Sequence, residues 1–440
     1  MIVRMITAAT LARCGRALLL AALLVPHSLG CRGEATSGPS RLIWYTNPDN
    51  GGQRRIAERC SRESNGAYVI ETQLLPNEAD GQREQLVRRL AASDPSIDLM
   101  SLDTPFVAEL ANARYLLPIT ARADIERLTA GVLRGPLKTA HWKGQLVAAP
   151  FWANTQLLWF RKSVAAKAGV DPTRADFTWD RMIAAAEAQG KRVAVQGRRY
   201  EGLVVWINAL VASAGGQILS EVEVGGAARP SLASAAGEHA AEIVGRLARS
   251  AARTSDLATA GEEETRSQFQ SPDGAFAVNW PYVYRAAREA VAAGSLTRAL
   301  LDDIGWARYP RVSVERPSAP PLGGIHLAIG AFTRHRTEAL AALSCATSQR
   351  SNVEYMLSEG NPAVRATAYD DPSVRAAFPM AELIRESIDA AGPRPITPYY
   401  GDVSVSVQRT WHPPRNVRAP QTPRWTDEYM SQALRGDRLL

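Results

Sequence analysis

The 440-residue sequence predicts an α/β protein of two domains. Three observations carry this. Strand-like and helix-like runs alternate cleanly over residues 42–102, the β-α-β-α-β order that builds a mainly parallel sheet. About 400 residues beyond the N-terminal segment exceed what one hydrophobic core usually holds. The segment Phe151 to Gln156 sits between two strand-like runs and reads as a crossing between domains.

In chain order, residues 1–30 read as a signal peptide. Arg4, Arg13 and Arg16 precede the apolar run Ala17 to Val25, which Pro26 ends, and no acidic residue interrupts it. This is the pattern of a secretory signal, and the run is too short for a bilayer span of about 20 residues. Ser28-Leu29-Gly30-Cys31 resembles a bacterial lipobox, with Ser28 where Leu or Val is usual. It implies lipidation at Cys31, anchorage to membrane lipid on the outer face of the cytoplasmic membrane, and a flexible tether over residues 31–41. Removing the three arginines takes the net charge from +7 to +4. That balance, spread along the chain without a basic and aromatic block, excludes a nucleic-acid footprint. Of the four cysteines, Cys60 and Cys345 remain for a disulfide in an exported chain.

Leu42-Ile43-Trp44-Tyr45 is a short buried strand, and Ile56 and Cys60 share a face of the helix after it. Tyr68 to Leu75 is a second strand, Leu86 to Ala91 a helix, and Ile97 to Leu102 a third strand. Loops after parallel strands gather at one edge of a sheet, where ligands bind. Here they carry Asn47, Asp49 and Asn50, then Pro76 to Asp80, then Asp103. This is a hydrogen-bonding rim without a Gly-rich phosphate cradle. The second domain reads as more helical, through Trp179 to Ala188, Tyr200 to Ala214 and Ala235 to Ala252. A return to the first domain is expected near Ile304-Gly305-Trp306-Ala307. The expected domains are therefore 42–151 with 305–350, and 152–304 with 351–440.

Several segments, in this order, resemble the extracellular solute-binding proteins of ABC sugar importers, above all mycobacterial sugar-binding lipoproteins of the trehalose- and amino-sugar-binding type. They are Gly135-Pro136-Leu137, Asn154 to Trp159, Glu201 to Trp206, Asn279-Trp280-Pro281, Leu322-Gly323-Gly324 and Asn361 to Arg365. The resemblance implies a two-lobed periplasmic-binding-protein fold with a hinge and an interlobe ligand cleft. It implies a monomer that captures a carbohydrate and delivers it to ABC permease subunits, with no catalytic activity and no cofactor or metal. Ligand contacts carried over from the trehalose-binding pattern are Asp103, Asn154, Glu262 or Glu263, Trp280, Gly323 and Gly324. Where that pattern has an Arg after the Thr-Pro-x-Tyr stretch, Ser406 stands here. Loss of a bidentate donor points away from trehalose and towards another sugar, such as an amino sugar.

The chemistry of these residues fits. Sugars need amides and carboxylates for their hydroxyls and a flat aromatic for their C–H face. Trp152, Trp206 and Tyr399 join Trp280 as candidate aromatics, while Trp44 and Trp159 read as core. Acids at Glu262-Glu263-Glu264 also suit a helix N-terminus, and Asp103 also suits a helix N-cap. Asp103→Ala is expected to abolish binding with stability nearly intact. His141, His239, His326, His335 and His412 are scattered, without metal-ligand spacing. Two alternatives remain open at this point: an exported glycoside hydrolase pairing Asp103 with an acid of 262–264, and a binding protein for glycerophosphodiesters.

Overall fold

The computed structural model describes residues 38–221 and 228–437, so the signal segment and Cys31 lie outside the described residues. Pro39 to Leu440 forms one compact unit, organised around two sheets. In the first, Ser40–Thr46 lies parallel to both Tyr68–Leu74 and Leu99–Asp103. Helices Gly52–Glu63 and Ala79–Ala91 make the crossovers, as the periodicity predicts. Leu42 and Trp44 are fully buried, and the Trp44 indole donates to Ser101 Oγ at 3.0 Å. The buried Asp98 carboxylate accepts from the Ile43 amide at 2.8 Å and from the Thr333 hydroxyl, pinning the sheet to a late loop.

Pro321–Ile329 enters this sheet antiparallel, between Leu99–Asp103 and Ala149–Thr155. The short strand Gly392–Pro393 pairs beside its start. The second sheet runs Ile304–Ala307, Leu157–Arg161, Gly274–Asn279, Arg192–Ala194. Its core centres on helix Glu201–Ser213, buried on nearly every side, with Trp206 against Trp179 at 5.9 Å between ring centroids. An all-round apolar helix can only be an interior one.

The chain passes from the first sheet to the second at Gln156, returns over residues 308–320, and crosses again over 394–399. Three expected boundaries are corrected. The second domain does not begin at residue 152, since strand Ala149–Thr155 stays paired in the first sheet to its end. Ile304–Ala307 does not re-enter the first sheet; its backbone pairs antiparallel with Leu157–Arg161, and re-entry waits for Pro321. Nor does the chain from 351 belong wholly with the second sheet. Helix Gln349–Glu359 packs on Gly52–Glu63, with Arg55–Glu359 and Arg59–Glu354 ion pairs at 3.0 Å. Helix Ala381–Asp389 packs beside Ala149–Thr155. Only with helices Tyr400–Trp411 and Gln421–Leu434 do Val403, Val407, Trp411 and Met430 join the second core. Apolar spacing shows that a helix is amphipathic without showing which sheet its stripe covers.

Cys60 and Cys345 form a disulfide with Cα atoms 5.9 Å apart, linking helix Gly52–Glu63 to helix Arg336–Ala346. No helix among the described residues is long and apolar enough to cross a membrane. The bridge closes a span of 285 residues, and in the chain-entropy account long loops gain most. Cys60→Ala/Cys345→Ala is therefore expected to lower the unfolding free energy by about 2–5 kcal/mol, read as a shift of the urea midpoint. An unchanged midpoint would show that the bridge does not restrain the unfolded chain.

Candidate functional site

A cleft of about 370 Å³ opens between the two sheets. From the first sheet and its loops come Asn47, Asn77, Glu78, Asp103, Trp152, Asn154, Gly323 and Gly324; from the second come Tyr200, Glu201, Glu262, Trp280 and Tyr282. Arg394, in the last crossing, lies between them. The convergence follows from topology. Leu99–Asp103 ends at Asp103, and Pro321–Ile329 brings Gly323 opposite Asn154 in its antiparallel register. Asn154 Oδ1 accepts from the Thr155 amide at 3.1 Å, fixing the orientation of its amide.

Glycine is required on that strand. A Cβ at Gly323 would stand 3.2 Å from the Trp280 ring, and one at Gly324, where φ is +118°, would stand 2.3 Å from the Trp152 carbonyl oxygen. The flat strand lets the indole lie across it. Trp280 is aimed by Asn279, whose Oδ1 accepts the Trp280 amide at 2.8 Å while its Nδ2 donates to the Glu262 carbonyl at 2.9 Å.

The centre of the cleft is ionic. Arg394 Nη2 donates to Asp103 Oδ1 at 2.6 Å and Nη1 to Asp103 Oδ2 at 3.2 Å, a bidentate grip. The same Nη1 donates to Glu201 Oε1 at 2.6 Å. Glu201 also accepts from the Tyr400 hydroxyl and, at 2.6 Å, from Ser404. Gln408 continues the chain, donating to Ser404 Oγ at 2.9 Å and Asp80 Oδ2 at 3.3 Å. At the rim Arg198 reaches Glu78 at 2.9 Å. Burial pushes the Glu201 carboxyl up to about 6, with the fields of Asp80 and Asp103 adding to burial and Arg394 opposing it. Burial likewise raises Glu262, against the pull of Tyr200 and Trp280. Asn47 Oδ1, Trp152 Nε1 and Arg394 Nε, all of cleft-lining residues, are buried without a protein partner.

Of the residues expected from sequence, Asn47, Asp103, Trp152, Asn154, Glu262, Trp280, Gly323 and Gly324 line the cleft. Five do not, Trp206 among them as part of the second core. Asp49 faces its own helix, accepting from the Gly51 and Gln53 amides at 2.8 and 2.7 Å. Asn50 is held through its backbone, whose amide donates to Glu359 at 2.8 Å. Glu263 pairs with Arg266 at 2.8 Å on the outer face of the helix, one residue out of phase with Glu262. Tyr399 precedes helix Tyr400–Trp411, and it is the neighbouring Tyr400 that turns inward to Glu201.

Ser406 does not line the cleft. It is fully buried within its helix and donates to the Asp402 carbonyl at 2.7 Å. A guanidinium with a bidentate grip does stand in the cleft, Arg394 from before the Thr-Pro-x-Tyr stretch, and its grip is on Asp103. Asp103→Ala would therefore also leave a buried guanidinium with one partner fewer, so its effect on stability is not slight. Arg394, Glu201, Tyr200 and Asn361 are missed by sequence reasoning as site residues. Glu201 had one visible signal, a lone acid opening an otherwise apolar helix. Among the described residues no cluster of His, Cys, Asp and Glu could hold a metal ion.

Comparison with known proteins places this geometry in context. The sequence matches the model of the bacterial extracellular solute-binding proteins over residues 70–353. A curated relative from Deinococcus radiodurans, a probable ABC transporter-binding protein, is 25% identical over 335 residues, spanning 73% of this chain and 75% of that protein. Among solved structures, maltose-bound MalE3 of T. maritima superposes with a TM-score of 0.77 at 24% identity, covering 91% of this chain and 100% of that one. The GacH receptor of Streptomyces glaucescens, solved unliganded and with acarbose, gives 0.73 at 18% identity over 90% and 98%. A tagatose-bound ABC transporter solute-binding protein of Thermotoga lettingae gives 0.72 at 19% over 90% and 100%. At these identities the structures establish a shared fold.

Glu201 makes a pH dependence testable. Its carboxyl titrates near 6 when folded and near 4.3 in an unfolded chain. The folded state thus binds more protons between these values, and stability from this group is fully present below the lower one and lost as pH rises through the upper. The loss amounts to about 2 kcal/mol. Glu201→Gln should flatten the stability profile between about pH 4.3 and 6, measured by urea unfolding across that range. A variant with the parent's slope would assign the dependence elsewhere.

Proposed function

Given that the chain belongs to the bacterial extracellular solute-binding proteins, we propose that it captures a neutral or amino-substituted carbohydrate of mono- or disaccharide size for an ABC permease. Membership places the protein outside the cell's cytoplasmic membrane and among proteins that bind solutes rather than transform them. The observation that carries the carbohydrate reading is the composition of the cleft. The Trp280 indole faces a glycine strand, and the amides of Asn47, Asn77, Asn154 and Asn361 stand beside several carboxylates. Its volume falls in the range of small-molecule sites, about 300–1,000 Å³. The solved relatives that hold maltose, acarbose and tagatose support the same reading.

Electrostatics narrow the ligand class. The cleft carries Glu78, Asp103, Glu201 and Glu262; of the cations beside them, Arg198 is engaged by Glu78, and Arg394 by Asp103 and Glu201. A negatively charged cleft repels a glycerophosphodiester and favours a neutral sugar or a protonated amino sugar. The glycosidase alternative loses its acid as well, because both Asp103 oxygens are held by one guanidinium. Ligand touching both sheets stabilises the closed arrangement by its difference in affinity between open and closed states. The crossings at Gln156, 308–320 and 394–399 supply the hinge.

The protein works as a monomer, held at the membrane through an acylated Cys31, with residues 31–41 as tether. Two acyl chains give durable attachment where one does not. Cys31→Ser should abolish incorporation of labelled palmitate and move the protein from the detergent phase to the aqueous phase in Triton X-114 partitioning. A Cys31→Ser protein that still partitions with detergent would remove the anchor from this account.

A thermal-shift screen of hexoses, disaccharides, amino sugars and glycerophosphodiesters tests the ligand class. Sugars are expected to raise the melting temperature and phosphodiesters to leave it unchanged; the reverse pattern would sink the reading. Trp280→Ala should weaken the best sugar at least about tenfold, as expected for losing a stacked aromatic face, with the melting temperature of the free protein little altered.

A further inference from the structure

Away from the cleft, a groove of about 490 Å³ lies between the end of helix Ala235–Arg249, the loop over residues 250–258 and the turn Pro414–Asn416. Its walls carry Arg249, Arg253, Arg415 and Arg418 and neither an Asp nor a Glu. Among the described residues none of these four arginines forms an ion pair. Arginines elsewhere do pair with carboxylates, as in Arg41–Glu71, Arg161–Asp303 and Arg246–Asp180. Here four share one groove whose walls hold no acid.

The guanidiniums are held together by backbone. Arg249 Nη1 donates to the Val417 carbonyl at 2.9 Å, and Arg418 Nη1 donates to the same oxygen at 2.9 Å and to the Arg415 carbonyl at 2.7 Å. Two like charges therefore hang from one acceptor. Burial, and then the charge of Arg418, lower the affinity of Arg249 for its proton. A last-turn arginine often serves its own helix dipole, but Arg249 turns away to the 415–417 segment. Arg253 bonds only to the nearby Ser250 carbonyl, at 2.9 Å. In the wall beside them Thr254 is 2% exposed, and its hydroxyl has no protein partner. A buried hydroxyl left unsatisfied costs free energy unless a ligand or water meets it.

We propose that this groove binds a phosphate group, either free or as a monoester in solution, or in the headgroup of a phospholipid. Several guanidiniums with a hydroxyl match the oxygens of a phosphate, which each planar fork can grip with two donors. The site is independent of sugar capture, since it shares no residue with the cleft. Loss of one function leaves the other to be measured.

The test uses the full-length protein, titrated calorimetrically with inorganic phosphate. It is also sedimented with phosphatidylcholine vesicles with and without phosphatidylglycerol, where an acyl anchor contributes equally to both. The variants are Arg253→Gln/Arg415→Gln, whose side chains hold no distant element in place, and Thr254→Val. Saturable phosphate binding is expected, weakened by sodium chloride and at least about tenfold weaker in the double arginine variant. Thr254→Val should weaken it to a smaller extent, with sugar affinity and melting temperature unchanged in both. Extra sedimentation with phosphatidylglycerol that the double variant loses assigns the site to a headgroup; phosphate binding without it assigns a soluble phosphate. Absence of both, or binding that the variants leave untouched, overturns the proposal.

Discussion

The arrangement of the two sheets depends on one buried guanidinium. Arg394 joins Asp103, at the end of a first-sheet strand, to Glu201, at the start of the helix that organises the second core. Neither carboxylate belongs in so dry a place alone, because burying a charge is costly unless it is paired and hydrogen-bonded. Tyr400 and Ser404 complete the shell of Glu201, which ties the C-terminal helix to the same point. A single polar cluster thus sets the approach of the strand, the helix and the last crossing.

That cluster also determines what the cleft can offer a guest. Arg394 turns both terminal nitrogens to protein carboxylates, so the surface left for a ligand is chiefly amides, the Trp280 indole and acidic oxygens. Such a surface recognises hydroxyls and C–H faces and repels anions. Four arginines without carboxylate partners, Arg249 and Arg418 among them, line the far groove. Acidic side chains line the cleft and arginines line the groove, and the two share no residue.

Much of the site was legible because parallel strands deliver their following loops to a common edge. Asn47 and Asp103 could be placed by that rule alone, and Asn154 by its position at a crossing. Asp49 and Asn50 satisfied the same rule yet face away, since side chains in one loop divide between the ligand and the helix the loop begins. Glu262 and Glu263 show the same division on a helix, where one step of about 100° turns a carboxylate from the cleft to solvent. Arg394 could not be found this way. It lies in a Pro-rich stretch 291 residues from Asp103, and nothing local marks it as a charge destined for burial.

The sequence by itself determined the alternation of strands and helices, the apolar faces and the residue types a sugar site needs, because these depend on spacing along one chain. The tertiary structure alone decided which sheet received Ile304–Ala307, which core the helices after residue 351 joined, and which guanidinium closed the cleft. Those outcomes rest on contacts between distant segments. An amphipathic stripe or a lone arginine fits several partners equally well until the chain has folded and only one lies within reach.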